Sequence, residues 1–328
     1  MPRGTIEKDA VTGLISVVVP VYNEREVLQE LHRRVSAAMS AIDHQLEMVL
    51  VDDGSRDGST AMIESLADVD SRLTGVILSR NFGHEAAIAA GLREARGDAV
   101  IVMDADLQDS PELLPQLVQA WAAGADVVYA VRRDRKEGLL QRAAFSAFYQ
   151  LTARIVDIDL PRDAGPFCLM SRPVVDAMNQ MSERGRYFPG LRAFTGFTQV
   201  PVELERAARF AGETKYSLRR RTPGAVNAIF SFSKFPLRLV TLLGFICAGL
   251  ALLGAIWTVG SAVFGTATAP GWVSVMAVVL IFSGVQMMTL GIVGEYVGKV
   301  YDEVRARPSF IIARRCTGAG VDTTVPGL

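Results

Sequence analysis

Cysteine is scarce: Cys168, Cys247 and Cys316 are odd in number, far apart and without metal-ligand spacing. That pattern excludes a disulfide framework and suits a reducing compartment. Histidine is equally scarce, and His32, His44 and His84 stand isolated, which reads as surface or structural use rather than metal ligation. Net charge is nearly absent at −1, so no global field recruits nucleic acid and any anion-binding surface must be local. No Gly-x-Gly-x-x-Gly follows the first apolar run, and no Gly-x-x-x-x-Gly-Lys-Ser/Thr occurs anywhere. The common glycine-rich phosphate cradles are thereby excluded. A secretory leader is not expected either, because the first 13 residues are polar and the run after them is short and β-branched.

The largest absence lies towards the C-terminus. Between Arg238 and Glu295 there is no Asp, Glu, Lys or Arg. Crossing a bilayer takes about 20 apolar residues, so this stretch holds two spans, Leu239–Phe264 and Trp272–Gly294. The small, breaker-rich turn from Gly265 to Gly271 separates them. A buried helical hairpin of a soluble protein is the plain alternative, but such helices rarely stay uncharged so long. Arg219, Arg220, Arg221, Lys234 and Arg238 precede the first span; Lys299, Arg305, Arg307, Arg314 and Arg315 follow the second. With no charge in the turn, the positive-inside rule puts both ends in the cytosol, at the inner face of the cytoplasmic membrane. The expected organisation is a catalytic domain over 1–222, an interfacial amphipathic helix over 223–238, the spans over 239–298 and a cytosolic tail over 299–328. Core packing of 223–238 remains the bland reading of its apolar pattern.

Upstream, short apolar runs alternate with helical patterns. Leu14–Pro20 precedes a helix through Leu28, Leu31 and Val35, and Leu46–Val51 precedes one from Ser59. Gly75–Leu78 precedes His84–Arg96, Ala99–Met103 precedes a helix from Pro111, and Asp126–Val131 precedes one around Leu139–Val156. Such alternation predicts an α/β fold with a doubly wound, mainly parallel sheet, whose ligands bind beyond the carboxyl ends of the strands. The polar clusters fall there: Pro20-Val21-Tyr22-Asn23-Glu24, Asp52-Asp53-Gly54-Ser55 and Asp104-Ala105-Asp106. Glycines let a backbone wrap a phosphate, whereas carboxylates repel one. Carboxylates in this row make sense if one meets a nucleoside and the Asp104/Asp106 pair holds a divalent cation such as Mg²⁺ or Mn²⁺. An isolated Asp-x-Asp would otherwise be read as a solvated turn.

In order, Val17-Val18-Val19-Pro20-Val21-Tyr22-Asn23-Glu24, Val51-Asp52-Asp53-Gly54-Ser55, Asn81-Phe82-Gly83-His84 and Asp104-Ala105-Asp106-Leu107-Gln108-Asp109 resemble family 2 glycosyltransferases of the GT-A fold. With Arg209-x-x-Gly212-Glu213-Thr214-Lys215-Tyr216 and the apolar C-terminus, the chain is similar to the polyprenyl-phosphate branch, which includes dolichyl-phosphate mannose synthases and bacterial undecaprenyl-phosphate glucosyl and aminoarabinosyl transferases. The resemblance implies that Pro20, Tyr22, Glu24 and Asp53 contact the nucleoside. It implies that Asp104, Asp106 and Gln108 organise the metal and diphosphate, with Asp104 also on the nucleotide. One stretch departs. Where the family usually reads Asp-x-Gly-Asp-Phe-Arg-Leu, this chain has Asp163-Ala164-Gly165-Pro166-Phe167-Cys168-Leu169, losing a polar and a basic position.

The chemistry that follows is inverting transfer of a sugar, from a UDP-hexose type of donor, to a polyprenyl (undecaprenyl) phosphate. Charge builds on the leaving diphosphate, which the cation at Asp104 and Asp106 stabilises. A phosphate monoester with a second pKa of about 6 is already largely dianionic at neutral pH. Asp163 therefore either orients the acceptor or removes its residual proton, and Asp106 is its catalytic companion. A strand-start aspartate is the structural alternative for Asp163, with Asp157 and Asp159 the next carboxylates. Arg132 and Arg135, in the run Arg132–Lys136 after the fifth strand, with Arg209 and Lys215 nearer the membrane, are the expected phosphate and lipid-phosphate contacts. Gly294-x-x-x-Gly298 hints at helix packing and a homo-oligomer. Two other classes stay open: a polysaccharide synthase, although the chain lacks the Gln-x-x-Arg-Trp motif, and a non-catalytic nucleotide-sugar-binding membrane protein.

Overall fold

A computed structural model describes residues 13–132, 165–181, 183, 187–204, most of 240–257, 271–318 and 320–322. The expected helix over 139–156 and interfacial helix over 223–238 lie outside these residues. Two compact units emerge. The larger holds the sheet and takes in 308–322, and the smaller holds the described residues from 240 to 307.

The first strand, β1 (Leu14–Val21), is apolar on both faces and buried along nearly its whole length, as a central strand covered by helices on both sides must be. It pairs in parallel with β2 (Gln45–Asp52) on one side and with β4 (Ala99–Val102) on the other; β2 pairs in parallel with β3 (Leu73–Leu78). Between them run α1 (Arg25–Met39), α2 (Ser59–Val69) and α3 (His84–Glu94). Helix α1 buries Val27, Leu28, Leu31, Val35 and Met39, a stripe at helical spacing. Helix α3 buries Ala86–Leu92 through small side chains, and a Cβ on Gly91 would collide with Val18 Cγ1, so this helix lies close against β1. A short 3₁₀ turn (Pro111–Leu113) leads into α4 (Leu114–Ala122) on the opposite face, which buries Leu114, Leu117, Val118 and Trp121 in the main core.

The outer strands depart from the expected mainly parallel sheet. After β5 (Val127–Arg132), β6 (Cys168–Ser171) inserts antiparallel between β4 and β5, and α5 (Arg172–Gln180) and α6 (Phe188–Phe194) precede β7 (Gln199–Leu204), which runs parallel to β5. On the other edge β8 (Ile312–Thr317) pairs antiparallel with β3, and β9 (Gly320–Asp322) pairs with β8. The order is β7-β5-β6-β4-β1-β2-β3-β8-β9. Among the described residues four pairings are parallel and four antiparallel, so the sheet is mixed.

The segment expected as a tail thus supplies two strands. Cys316 is buried in the main core, and Arg314 and Arg315 pair with Glu64 and Glu94. These two arginines are spent on the sheet rather than standing free as a flank to the second span.

In the smaller unit, the described residues between 240 and 257 are helical, and α7 (Trp272–Val304) runs for 33 residues. Among the described residues no helix is both long and apolar enough to cross a membrane. The C-terminal third of α7 carries Glu295, Lys299, Asp302 and Glu303, while Val275, Ile281, Met287 and Leu290 earlier in it are exposed. The two expected spans are not established by this architecture.

Candidate active site

Strands β1 to β4 all end at one edge of the sheet, and the loops that follow them are knitted together by short polar side chains. After β1 the chain turns through Asn23, a non-glycine residue held at φ 55°. Its amide donates to Ser55 Oγ at 2.9 Å, and its Oδ1 accepts from the Arg56 amide at 2.8 Å. The Glu24 and Arg25 amides donate to Ser59 Oγ and Asp57 Oδ2 at 3.0 and 3.1 Å. The first turn of α1 is therefore capped from the β2–α2 loop rather than from its own N-cap residue. Gly54 (φ 70°) lies so close to the next loop that a Cβ would sit 2.6 Å from Arg80 C and Asn81 N. Only glycine permits both that dihedral and that approach.

The adjoining aspartates of β2 brace these loops. Asp52 is fully buried; it accepts from the Ser55 amide at 2.9 Å and from the Thr60 hydroxyl. Asp53, also buried, accepts from the Phe82 amide at 2.6 Å and the Gly83 amide at 2.9 Å, tying β2 to the start of α3. Burial pushes the Asp53 carboxyl above the usual carboxylate value, with the Asp52 charge adding to it, although the two amides pull the other way. Both Asp53 oxygens are thus engaged by backbone. Pro20 is likewise buried inside β1, whereas Tyr22 is 44% exposed and Glu24 part exposed at the rim.

Past β4, Asp104 and Asp106 are both partly exposed. Asp106 Oδ1 accepts from the Gln108 amide at 3.1 Å. Between them Leu107 adopts φ 55° with its side chain buried in the core. A left-handed leucine costs on the order of 1 kcal/mol; with its side chain anchored in the core, the neighbouring Asp106 carboxylate stays part exposed. Asp104 Oδ1 meets His84 Nε2 at 2.8 Å. Here the structure corrects the reading of His84 as isolated: the first residue of α3 sits beside the acidic pair. Partial desolvation lowers the proton affinity of this imidazole, which remains 39% exposed, but the hydrogen bond and charge of Asp104, with Glu85 and Asp53 beyond, hold its pKa above the ordinary histidine value. An imidazole so placed fixes the direction of the Asp104 carboxylate, a role that a lone histidine in a sequence does not announce.

Tyr22, Glu24, Asp53, Asp104, Asp106 and Gln108 therefore share one sheet edge. Arg132 closes β5, whose carboxyl end points the same way because β5 is antiparallel to β6 and β6 to β4. Asp163, Arg135, Arg209 and Lys215 lie outside the described residues. Among the described residues no three His, Cys, Asp or Glu side chains converge as a metal cluster. The pair Asp104/Asp106 offers two hard oxygen donors, which suits a hard cation that draws its remaining ligands from a diphosphate and water.

The model of glycosyl transferase family 2 matches residues 16–178, the span that contains all of these loops. A prophage bactoprenol glucosyl transferase homolog of Escherichia coli (strain K12) is 38% identical over 302 residues, covering 92% of this chain and 98% of that protein. The undecaprenyl-phosphate 4-deoxy-4-formamido-L-arabinose transferase of Pseudomonas fluorescens (strain SBW25) is 38% identical over 316 residues, covering 92% and 89%. Among solved structures, the chain is similar to glucosyl-3-phosphoglycerate synthase from Mycobacterium tuberculosis, crystallised with Mn²⁺, UDP and phosphoglyceric acid. There the identity is 19% and the TM-score 0.47, over 66% of this chain and 76% of that one.

Proposed function

The chain belongs to glycosyl transferase family 2, and from that premise we propose that this enzyme moves a sugar from a nucleotide-sugar donor, of the UDP-hexose type, onto a polyprenyl phosphate. The observation that carries the reading is the part-exposed Asp104/Asp106 pair just past the end of β4, the strand that pairs with β1, after which Tyr22 and Glu24 follow. The relatives' near full-length similarity, in proteins named for bactoprenol and undecaprenyl phosphate, supports the acceptor.

In this reading Tyr22 and Glu24 offer the accessible contacts to the nucleoside, while Pro20 and Asp53 form and brace the wall against which it lies. Asp104, aimed by His84, and Asp106, aimed by the Gln108 amide, hold Mg²⁺ or Mn²⁺. When bound, the cation supplies Lewis-acid stabilisation of the departing diphosphate. Arg132, Arg135, Arg209 and Lys215 meet donor and acceptor phosphates. The acceptor is a good nucleophile as its dianion, so Asp163 orients it and, at lower pH, takes its remaining proton.

The uncharged stretch 239–294 supports a membrane location, and connectivity bears on the topology it would have. The chain leaves the sheet after β7 and re-enters it at β8, whose first residue Ile312 pairs with Leu78 at the same edge as the acidic row. Any bilayer crossings made between these points are therefore even in number, which agrees with two spans and a cytosolic catalytic unit at the inner membrane face. Gly294 and Gly298 are open on α7, in keeping with self-association through that helix.

The test is acceptor dependence. Protein in detergent is given radiolabelled UDP-sugars with undecaprenyl phosphate or with undecaprenol. Label should enter the organic phase only with the phosphate and only before EDTA is added. Equal transfer to the alcohol, or full activity in EDTA, would refute the reading.

A further inference from the structure

Arg192 lies in α6 with a fully buried side chain; among the described residues no carboxylate pairs with its guanidinium, and the weak Cys168 thiol beside it leaves Nε, Nη1 and Nη2 short of partners. Its guanidinium carbon stands 5.1 Å from the centre of the Tyr129 ring. A guanidinium stays charged at any accessible pH, and leaving a buried charge without a counter-ion is among the costlier things a fold can do. A protein that keeps one gains something other than stability.

The sheet register shows where this cation is held. Tyr129 on β5 pairs with Cys168 on β6, and Cys168 pairs with Val102 on β4. Paired residues share a face, so Tyr129, Cys168 and Val102 belong to one face of the sheet, and Asp104 follows Val102 by two residues in the loop beyond β4. Strand spacings put Tyr129 on the order of 10 Å from Asp104. Arg192 also acts on the Cys168 thiol: burial pushes that thiol's pKa up, and the neighbouring guanidinium pulls it back. Cys168 occupies the basic position of the Asp-x-Gly-Asp-Phe-Arg-Leu stretch. The charge that β6 lacks is thus present at the same place, delivered from α6.

We propose that Arg192 is the cation that receives the acceptor's phosphate monoester, replacing from α6 the basic side chain missing at Cys168; this rests on the polyprenyl-phosphate reading above. The long stem turns out of its apolar bed towards the phosphate, and relief of the unpaired buried charge favours that motion. The planar fork then binds two phosphate oxygens. Arg192 is a binding residue in this scheme and takes no proton.

The full-length protein in detergent provides the test, with farnesyl phosphate as acceptor probe and UDP as donor probe. Arg192→Met should melt at or above the wild-type temperature, because an unpaired charge is removed. Farnesyl phosphate should raise the melting temperature of the wild type and not of Arg192→Met, while UDP raises both alike. The KM for undecaprenyl phosphate should rise at least tenfold in Arg192→Met and by a smaller factor in Arg192→Lys, which keeps charge without the fork. If the methionine variant does not fold, Arg192→Lys decides the matter, an unchanged KM overturning the proposal and a raised one supporting it. A destabilised Arg192→Met with normal farnesyl phosphate response would show that Arg192 only packs on Tyr129. Loss of the UDP response instead would assign it to the donor. Either result overturns the proposal. A wild type that ignores farnesyl phosphate would bring down the acceptor reading, and this inference with it.

Discussion

At the scale of single residues, the acidic row divides into carboxylates engaged in bracing the loops and carboxylates that stay part exposed. Asp52 and Asp53 are buried and engaged by amides and a hydroxyl, whereas Asp104 and Asp106 are part exposed. Asp106→Asn keeps the size and loses the charge, so kcat should fall by two orders of magnitude or more with melting temperature nearly unchanged. His84→Ala acts one step removed. Loss of a partner that orients a metal ligand typically costs about 10- to 100-fold in metal affinity, so the Mn²⁺ concentration for half-maximal rate should rise by that factor while kcat at saturating metal changes less. Metal-titrated initial rates separate the two; equal behaviour of both variants would place His84 among the metal's own ligands. The sequence displays Asp104 and Asp106 openly, because both carboxylates sit in one short turn after an apolar run. It hides His84, which is 20 positions away and joins them only when α3 docks beside β4. Arg192 is hidden for the same reason, since burial with no carboxylate opposite among the described residues is a property of packing rather than of spacing.

At the scale of elements, β1 to β5 and the helices α1 to α4 between them are legible, because burial on both faces demands continuous apolar runs and the helices carry stripes at helical spacing. Strand direction is not legible. Nothing local in Cys168–Ser171 distinguishes an antiparallel insertion from a parallel strand. Ile312–Thr317 hides better still, as its two arginines read as a membrane flank until Glu64 and Glu94 are seen opposite them. Deleting 308–328 should therefore damage the catalytic unit, by uncovering the β3 edge and removing Cys316 from the core. The expected result is aggregation, or a melting temperature lower by several degrees, and an unchanged melt would mean that β8 adds nothing to the unit. A second element-level tie joins α1 to the α2–β3 turn, where Asp70 accepts from Arg72 and bonds His32 at 2.8 Å. The Arg72 hydrogen bond holds the Asp70 carboxyl well below the usual carboxylate range, against the effect of its partial burial. A depressed carboxylate stabilises the fold above its unfolded pKa of about 3.9 and loses that contribution as pH falls towards the folded value. Asp70→Asn should melt about 2–4 °C lower than wild type at pH 7, discounted from a buried pair because Arg72 is half exposed. The gap should close below about pH 4; one that persists in acid would assign the effect to packing.

At the scale of the whole molecule, the connectivity of the sheet constrains the topology. The chain departs after β7 and returns at β8 beside β3. A reporter placed after Leu328 should accordingly be cytoplasmic and one inserted at Thr268 periplasmic; the same location for both would rule out the two-span hairpin. The chemistry proposed at the edge leaves a record in phosphorus. Attack by the acceptor phosphate on the anomeric carbon leaves both donor phosphates with the nucleoside, so the lipid product holds one phosphorus. Attack on the donor's β-phosphorus would instead release UMP and leave two. Mass spectrometry of the extracted lipid, with chromatography of the released nucleotide, distinguishes them in a single reaction containing enzyme, metal, UDP-sugar and undecaprenyl phosphate. One phosphorus per sugar-bearing lipid and one equivalent of UDP is the predicted result; a diphosphate lipid with UMP would contradict it.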